Sequence, residues 1–386
     1  IHHLAKSSMK FCVLLVAFTL SFSAVAQTAD NSQFLAAREA FRKGDLNRLE
    51  AAVAGIGNHP LAPYAENYRL RSLMARDETS GIPGFLNAND GSYVAEKLRA
   101  DWLRWLARRS TWNLIETEYP KLRAPEPEIA CLNQQARWAR GDRSVIDEAQ
   151  SLWLSMLEPP ESCQPILDLL VATRRIDSDA AWARARLQIE ANRPVWARRT
   201  LNYLPDSQLP DGASFDSAVK NAMSYLGRQP ASWHTTRSGR ELTAIAIRYV
   251  AANDPDTAAR ELEKRQGQLQ RPETQWAWSQ IALQAARKHL PETLGWYASA
   301  GNTPLSEENH QWKVRSALRA LAWGEVRNSI EAMPPELAAR PEWVYWLGRA
   351  YKAGGRTSEA DALFARIAGQ AHFYGNLADE ELGRTI

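Results

Sequence analysis

Residues 341–375 read Pro-Glu-Trp-Val-Tyr-Trp-Leu-Gly-Arg-Ala-Tyr-Lys-Ala-Gly-Gly-Arg-Thr-Ser-Glu-Ala-Asp-Ala-Leu-Phe-Ala-Arg-Ile-Ala-Gly-Gln-Ala-His-Phe-Tyr-Gly. In each half, apolar residues recur at positions i, i+3, i+4, i+7 and i+8, which is the spacing of one face of an α-helix. Gly354-Gly355 predicts the end of the first helix, because glycine accepts the left-handed φ of a C-terminal cap. Thr357 or Ser358 is the expected N-cap of the second helix. The two faces consist of Trp343, Trp346, Leu347, Ala350 and Tyr351, and of Ala360, Leu363, Phe364, Ile367 and Ala368.

A single helix pair of this kind cannot bury both of its faces, so it requires further pairs stacked on it. Five residues of the pair stand at the spacings of the tetratricopeptide repeat (TPR), although Val344 replaces the Trp of that pattern. Upstream, a helical pattern that stops at Gly or Asn-Asp and then returns recurs many times, and no alternating pattern indicates a β-sheet. The predicted fold is therefore all-α, a superhelical TPR-like α-solenoid of roughly twenty antiparallel helices of about 10–14 residues each. The five residues are Leu347, Gly348, Tyr351, Ala360 and Phe364.

The upstream pattern also predicts where helices are absent or continuous. Residues 82–91 are expected to form a polar turn region, and residues 205–210 a polar loop. Residues 145–156 are expected to form one helix that pairs with residues 129–140. Further predicted pairs are 34–45 with 46–56, 179–187 with 195–201, 242–251 with 257–266, 276–286 with 290–297, and 311–320 with 326–333.

The N-terminal residues have the pattern of an export signal. Residues 9–26 combine a short basic start, an apolar core and an Ala24-x-Ala26 cleavage site, and residues 1–8 before Met9 are interpreted as a misassigned upstream extension. A membrane anchor is the alternative, but the apolar run is shorter than the roughly 20 residues that a span needs. Cys12 precedes the apolar core, which argues against a lipoprotein. We therefore expect a periplasmic protein with one helical domain over 27–386 and no stable membrane span.

Composition and charge exclude several classes of protein. The chain has 386 residues, of which 45% are hydrophobic, so it is too long for one ordinary globular domain and too apolar to be mostly disordered. Removal of residues 1–26 would take away Lys6 and Lys10 and lower the net charge from +3 to +1. The remaining basic residues alternate with acids, as on solvated helix faces, and form no basic block. We therefore expect no nucleic-acid partner.

Two cysteines, Cys131 and Cys163, remain after the signal. In an exported protein such a pair is more often a disulfide than a metal site, and a loop of this length would stabilise the fold by roughly 3–4 kcal/mol in the chain-entropy model. Two buried free thiols are the alternative. The seven histidines are scattered along the chain, so we predict no metal ligands and no cofactor.

Signals that would name an enzyme are missing from the sequence. It contains no glycine-rich dinucleotide or phosphate loop, no His-Glu-x-x-His and no Gly-x-Ser-x-Gly. Acid pairs such as Glu116 with Glu118, or Glu380 with Glu381, are interpreted as solvated helix surface, because a catalytic acid needs apolar burial. His372 is interpreted as a packed histidine, with a ligand contact as the alternative. No residue is assigned a catalytic, cofactor-binding or metal-binding role.

The fifteen tryptophans allow two interpretations. Indole faces stack on sugar rings, so a concave face lined with Trp could guide a glycan strand. Alternatively, the indoles are anchors between packed helices. Trp343 and Trp346 lie on the face expected to meet the return helix, which favours core packing for the set as a whole.

Several short motifs along the chain share their order and spacing with one known family. The motifs at the C-terminal end are the most specific, and the middle third agrees only in character. They are Pro60-Leu61-Ala62-Pro63-Tyr64, the pair Cys131 and Cys163 with Trp138, Trp343-Val344-Tyr345-Trp346, Gly355-Arg356, Phe373-Tyr374-Gly375 and Ala378-Asp379-Glu380-Glu381-Leu382-Gly383.

On these residues the chain resembles the N-terminal region of the soluble lytic murein transglycosylases. The resemblance implies a ring-shaped or U-shaped helical superhelix in the periplasm, followed by a linker and a lysozyme-like catalytic domain. Such an enzyme cleaves the MurNAc–GlcNAc bond of peptidoglycan without water and leaves a 1,6-anhydro sugar. The resemblance also implies that peptidoglycan glycan strands are partners of this chain. Proteins of cell-wall synthesis are possible further partners.

The family's catalytic Glu lies in a Glu-Ser element that is followed by Gly-Leu-Met-Gln. Glu161-Ser162 is the only Glu-Ser dipeptide here, it lies in a proline-rich loop, and no Gly-Leu-Met-Gln follows it. We therefore expect a non-catalytic fragment that binds glycan or shapes its access, with linker and catalytic domain after Ile386. The rival hypothesis is a periplasmic repeat scaffold that docks partner proteins. The absence of a polar capping helix at the C-terminal end favours truncation.

Overall fold

A computed structural model describes residues 31–384 of the protein. These residues form α-helices and short 3₁₀ helices and contain no β-strand, which confirms the predicted all-α fold class. Within the same range, no helix is long and apolar enough to cross a membrane. The predicted extension, the predicted signal peptide and the chain end at Ile386 lie outside the described residues.

The helices form two compact units, and the first comprises residues up to 152 together with 158–175. Its cores are built from helices that bury apolar faces against their neighbours along the chain. The larger core combines Leu98, Trp102 and Leu106 of one helix with Ile129 and Leu132 of another. The helices of this unit are α1 (31–43), α2 (Leu46–Gly55), α3 (Ala62–Met74), α4 (Ile82–Ala88), α5 (Tyr93–Arg108), α6 (Trp112–Glu118), α7 (Pro127–Ala139) and α8 (Val145–Gln150), and a short helix α9 (Leu152–Ser155) at its border precedes α10 (Gln164–Ala172).

The second unit comprises residues 153–157 and the chain from 176 onwards. The short segment 153–157 belongs here because α11 holds it. Arg184 donates hydrogen bonds to the carbonyls of Trp153 and Met156, and Gln188 donates one to the carbonyl of Leu157. The further helices are α11 (Ser178–Glu190), α12 (Pro194–Leu201), α13 (Gly212–Lys220), α14 (Ala222–Gly227), α15 (Arg237–Asn253), α16 (Pro255–Glu263), α17 (Arg271–Lys288), α18 (Thr293–Ala300), α19 (Glu307–Arg319), α20 (Trp323–Glu331), α21 (Pro335–Ala338), α22 (Pro341–Ala353), α23 (Thr357–Ile367) and α24 (Phe373–Glu381).

The pair α22–α23 forms as the sequence predicts, with one change at the turn. Gly355, with φ of +77°, supplies the left-handed residue after α22, but Arg356 is the N-cap of α23 and Thr357 is already helical. Gly348 lies against Phe364, and a Cβ atom at Gly348 would lie 2.6 Å from that ring. A small residue is therefore required where these two helices cross.

The prediction that Trp343 faces the return helix is wrong. Trp343 packs with Val326 and Ile330 of the preceding helix α20, whereas Val344 and Tyr345 pack against α23 and α24. Successive residues of a helix point about 100° apart. A helix with neighbours on both sides therefore buries consecutive residues, and one apolar stripe describes only half of its packing.

Other differences from the prediction also have local causes. Residues 82–88 form α4 instead of a turn, because Pro83 occupies the first helical turn and Ile82, Phe85 and Leu86 share a buried face. The helix predicted over 145–156 is divided into α8 and α9, and the two parts belong largely to different units. Helices α13, α14 and α24 are absent from the prediction, because their apolar patterns are too short to recognise as a helical period.

Candidate functional site

A surface groove in the second unit has the residue types of a sugar-binding site. It is formed by α13, α14, the 3₁₀ helix Trp233–Thr235 and the first turn of α15, and it encloses a volume of about 550 Å³. Cavities of this size accommodate small ligands. We call it the Trp233 groove, and the lining residues that matter below are Asp211, Ser214, Tyr225, Arg228, Trp233 and Thr236.

Helix caps fix two walls of the Trp233 groove. The carboxylate of Asp211 accepts a hydrogen bond from the backbone N–H of Ser214 at 2.9 Å and begins α13. The hydroxyl of Thr236 accepts one from the N–H of Gly239 at 3.1 Å and begins α15. Asp and Thr are preferred N-caps because their short side chains reach these otherwise unpaired donors.

The 3₁₀ helix that carries Trp233 lies directly on α15. A Cβ atom at Gly239 would lie only 1.9 Å from the carbonyl oxygen of Trp233, so the close approach depends on glycine. Arg240 Nη1 donates a hydrogen bond of 2.9 Å to the carbonyl of His234. The same guanidinium lies 3.3 Å from the buried carboxylate of Glu273, which anchors it. The indole of Trp233 is therefore carried on a rigid element.

The rear of the groove is held by a second arginine. Arg265 Nη2 donates to the carbonyl of Leu226 at 2.9 Å, and its Nε donates to Gln229 Oε1 at 3.3 Å. Gln229 Nε2 in turn donates to the hydroxyl of Thr243 at 2.5 Å. These contacts connect the end of α14 to α15 and to the segment that follows α16, so protein hydrogen bonds alone hold the rear of the groove.

The chemistry of the groove suits binding of a sugar ring and not cleavage of its glycosidic bond. Half-buried Trp233 and Tyr225 offer aromatic faces, and several Ser and Thr hydroxyls can donate or accept hydrogen bonds. Burial raises the pKa of Tyr225, so its phenol stays protonated. The acid at the groove is Asp211, and hydrogen bonds from Ser214 lower its pKa. An exposed carboxylate of this kind cannot supply the proton that a leaving sugar needs.

Three carboxylates of the second unit lie in the interior, and they belong to Glu190, Glu241 and Glu273. Glu241 is fully buried, and Arg186 binds it through two hydrogen bonds of 2.8 and 2.5 Å. Glu190 accepts hydrogen bonds from Gln280 Nε2 at 2.6 Å and from the Ser306 hydroxyl. Burial raises the pKa of both Glu190 and Glu241, and the partners named here oppose that rise. Glu190 is 8% exposed, Glu241 is not exposed, and neither lines the Trp233 groove, so we assign them to the interior and not to a reaction centre.

A helical period that ignores charge would have located these acids. Glu190 follows Ile189 directly, Glu241 precedes Leu242, and all four residues are buried. Their burial is unexpected because acids on mixed-charge helices usually face solvent. In a helix that packs on both sides, an acid beside an apolar residue can face the interior, as Glu190 and Glu241 do.

The residues singled out from the sequence lie in different places. Cys131 and Cys163 are joined by a disulfide inside the first unit, with Cα atoms 5.1 Å apart. Glu161 is exposed on a 3₁₀ helix beside it. His372 is neither packed in a core nor free for a ligand, because its Nδ1 accepts the N–H of Gly375 at 3.0 Å and caps α24.

The interpretation of the paired acids as solvated surface is wrong for two of them. Glu118 has 13% of its side chain exposed and accepts a hydrogen bond from buried Arg99. Glu381 has 16% exposed and lies within 3.1 Å of Arg349 and 2.8 Å of Lys352. The helices that carry these acids cross other helices, whose basic residues reach them.

The tryptophans serve mainly as packing residues. None of the fifteen belongs to the exposed residues; six are buried and the others are half-buried. The core-packing interpretation is therefore confirmed for the six, and a half-buried indole such as Trp233 can still present one face to a ligand. The six are Trp102, Trp153, Trp182, Trp276, Trp278 and Trp343.

Fold and groove together define an all-α array of helix pairs that carries a preformed, hydroxyl-lined surface site. No protein-family model matches the chain. It is similar to the soluble lytic murein transglycosylase of Escherichia coli strain K12, with 22% identity over 375 residues that cover 95% of this chain and 57% of the relative. The enzyme of the same name from Salmonella typhimurium strain LT2 is 22% identical over 382 residues, which cover 96% of this chain and 58% of the relative.

Solved structures of lytic transglycosylases share the fold. An inactive mutant of the lytic transglycosylase Slt from Pseudomonas aeruginosa matches with a TM-score of 0.58 and 22% identity, over 92% of this chain and 58% of that one. The 70-kDa soluble lytic transglycosylase in complex with bulgecin A matches with a TM-score of 0.52 and 22% identity over the same shares. The predicted resemblance is thus confirmed in sequence and fold, and the chain spans little more than half the length of these relatives.

Proposed function

We propose that this chain is the helical, non-catalytic part of a periplasmic peptidoglycan-processing lytic transglycosylase, and that it binds glycan strands. The observation that carries the proposal is the match to the Escherichia coli enzyme, which extends over 95% of this chain but only 57% of the relative. In this proposal, cleavage of the MurNAc–GlcNAc bond belongs to the part of the relatives that the chain does not match. Residues 9–26 direct export to the periplasm.

The Trp233 groove is the proposed contact with the glycan. Amino sugars present alternating hydroxyl and amide groups around an apolar ring face, and the groove offers hydroxyls beside two aromatic side chains. Support from Arg240 and Arg265 lowers the conformational entropy that the protein must lose when a ligand binds. The carboxylates nearby are either engaged in a cap or buried, so binding is not accompanied by hydrolysis.

The proposal is tested by titrating the purified protein with peptidoglycan glycan strands freed of peptides. We expect binding that Trp233→Ala weakens at least tenfold, whereas Trp196→Ala, which removes a half-buried indole elsewhere, leaves it unchanged. Incubation with intact peptidoglycan should release no 1,6-anhydro sugars, as mass spectrometry can show. Release of these products would contradict the non-catalytic assignment. Retention of cell-wall synthesis proteins without any glycan binding would replace the proposal by the scaffold hypothesis.

A further inference from the structure

A second cavity in the same unit has a different chemistry. It lies where the ends of α17 and α19 meet the beginning of α18, and it encloses about 550 Å³. It shares no residue with the Trp233 groove. We call it the Trp312 pocket, and the residues used below are His289, Leu290, Leu294, Trp312, Arg315 and Arg319.

Two arginines line this pocket without a carboxylate partner. Arg315 donates a hydrogen bond to Gln311 Oε1 at 3.0 Å and lies 5.3 Å from the ring of Trp312. Arg319 has no ion pair among residues 31–384. The acids at the start of the same helix are already engaged, because Glu307 pairs with Arg340 and Glu308 with Arg287. The guanidinium groups of the pocket are therefore available to a ligand.

Within residues 31–384, no acidic residue lines the pocket, and apart from Thr293 and Ser316 its remaining wall is aromatic and apolar. The ring of His289 lies 6.2 Å from that of Trp312, and Leu290 and Leu294 lie beside them. The Thr293 hydroxyl donates to the carbonyl of Leu290 at 2.6 Å, which fixes the start of α18. A concave wall of low polarity concentrates the field of the two cations on whatever enters.

These features select a singly charged organic anion. A guanidinium fork matches a carboxylate in geometry, and the indole and leucines can cover an adjoining apolar part. The C-terminal ends of α17 and α19 border the pocket with partial negative charge, and the start of α18 borders it with partial positive charge, so the apolar wall, which suits an organic anion better than inorganic phosphate, decides the class of ligand. We infer that the Trp312 pocket binds a carboxylate-bearing small ligand, such as an acidic sugar or a short acidic peptide, through Arg315 and Arg319.

Calorimetric titration of the full chain with two free acids tests this inference. N-acetylmuramic acid supplies the carboxylate on a sugar. The dipeptide Ala-Glu, acetylated at its N-terminus and amidated at its C-terminus so that the side chain is its only carboxylate, supplies it on a peptide. The carboxamide form of each ligand is the neutral reference, and inorganic phosphate is the competing anion. We expect at least one acid to bind, with its carboxamide and phosphate at least tenfold weaker, and the acid that binds identifies the source.

Variants then assign the binding to the pocket. Arg319→Gln should weaken binding of the acid about tenfold or more. Arg319→Lys should bind the acid more tightly than Arg319→Gln does, because lysine keeps the positive charge but lacks the two-pronged guanidinium geometry. Arg366→Gln is the matched control, since Arg366 is an exposed arginine in the last turn of α23. Thermal unfolding of each variant checks its fold.

The inference is overturned if neither acid binds at 10 mM or less (roughly the weakest affinity that such a titration resolves). It is equally overturned if carboxamide or phosphate binds as tightly as the acid, or if Arg319→Gln and Arg366→Gln behave alike. Trp233→Ala should not change these affinities. If Trp233→Ala loses glycan binding but still binds the acid, the result bears on the proposed function and does not affect the inference about the Trp312 pocket.

Discussion

The two compact units differ in the charge that they bury. Among its described residues the first unit buries the cation Arg99 but no carboxylate, whereas the second buries the carboxylates Glu190, Glu241 and Glu273 as well as two arginines. Arg99 reaches Glu118 at 3.2 Å and Asp90 at 3.3 Å, and Asp90 is largely exposed. A long cationic side chain can thus keep partners that touch solvent.

The side chains of buried carboxylates are shorter than that of arginine, so a basic side chain from another helix must reach them. In the second unit Arg186 of α11 crosses to Glu241 of α15, and Arg240 of α15 crosses to Glu273 of α17. The first unit also has an ion pair between helices, from Arg99 to Glu118, and in addition a covalent connection between α7 and the start of α10. The comparison therefore contrasts buried carboxylates, whose arginine partners link helices of the second unit, with a disulfide that links helices of the first.

The largest effect should follow from removing Glu241. Glu241→Ala leaves Arg186 half-buried without its partner, and we expect the second unit to lose about 3–5 kcal/mol. Denaturant unfolding, with hydrogen exchange to separate the units, measures the loss. Glu263→Ala, at an exposed position of the same unit, is the control and should change little. Equal effects of the two substitutions would contradict the role given to the buried pair.

Loss of the disulfide should give the next largest effect, and only in the first unit. The bond closes a loop with a sequence separation of 32, for which the chain-entropy model gives about 3–4 kcal/mol. The double variant Cys131→Ala, Cys163→Ala should lower the unfolding midpoint of that unit and leave the other unchanged. Thiol labelling of the purified wild-type protein checks that the bond is present. Free thiols in the wild-type protein, or an unchanged unfolding midpoint in the variant, would contradict the claim that the disulfide stabilises the first unit.

A smaller effect is expected from Gly239→Ala. The added methyl group meets the carbonyl of Trp233, so the 3₁₀ helix must shift, at a cost of about 1–3 kcal/mol. The substitution should also weaken glycan binding, because Trp233 moves with that helix. Gly267→Ala is the control, since no atom lies within 4 Å of its added Cβ. If both variants bind glycan normally, the groove does not depend on this contact.

The smallest expected effect is a pH dependence confined to the second unit. Burial raises the folded-state pKa of Glu190 above its unfolded value, so the fold favours the protonated form. The stabilising contribution of Glu190 is complete below the unfolded pKa and is lost as the pH rises through the folded pKa. Glu190→Gln stays neutral and should lack this loss, so the variant should gain stability relative to wild type as the pH rises from about 4 to 7. A difference that is constant over this range would show that Glu190 does not titrate in it.

The sequence predicts the fold class well because helical periods and glycine stops recur along most of the chain. It predicts the residues around Trp233 poorly for a physical reason. Helices α13 and α14 have only 9 and 6 residues, and their polar faces line a groove. Their apolar residues are therefore too few to show a helical period in the sequence. The buried acids are missed because a charged side chain is expected to face solvent unless its partner is known, and the partners are distant in sequence, as with Arg186 and Glu241. Pairing across helices is a property of the array and not of any local pattern.

The short segment 153–157 bears on how the protein could be divided or made in parts. The chain passes from one unit to the other at residues 152, 157 and 175, so neither unit is one uninterrupted piece of sequence. A gene cut after residue 175 would deprive the second half of the carbonyls that Arg184 and Gln188 bind. During synthesis, the first unit can be completed only after five residues destined for the second have emerged from the ribosome. A recombinant protein meant to contain a complete second unit must therefore begin no later than residue 153.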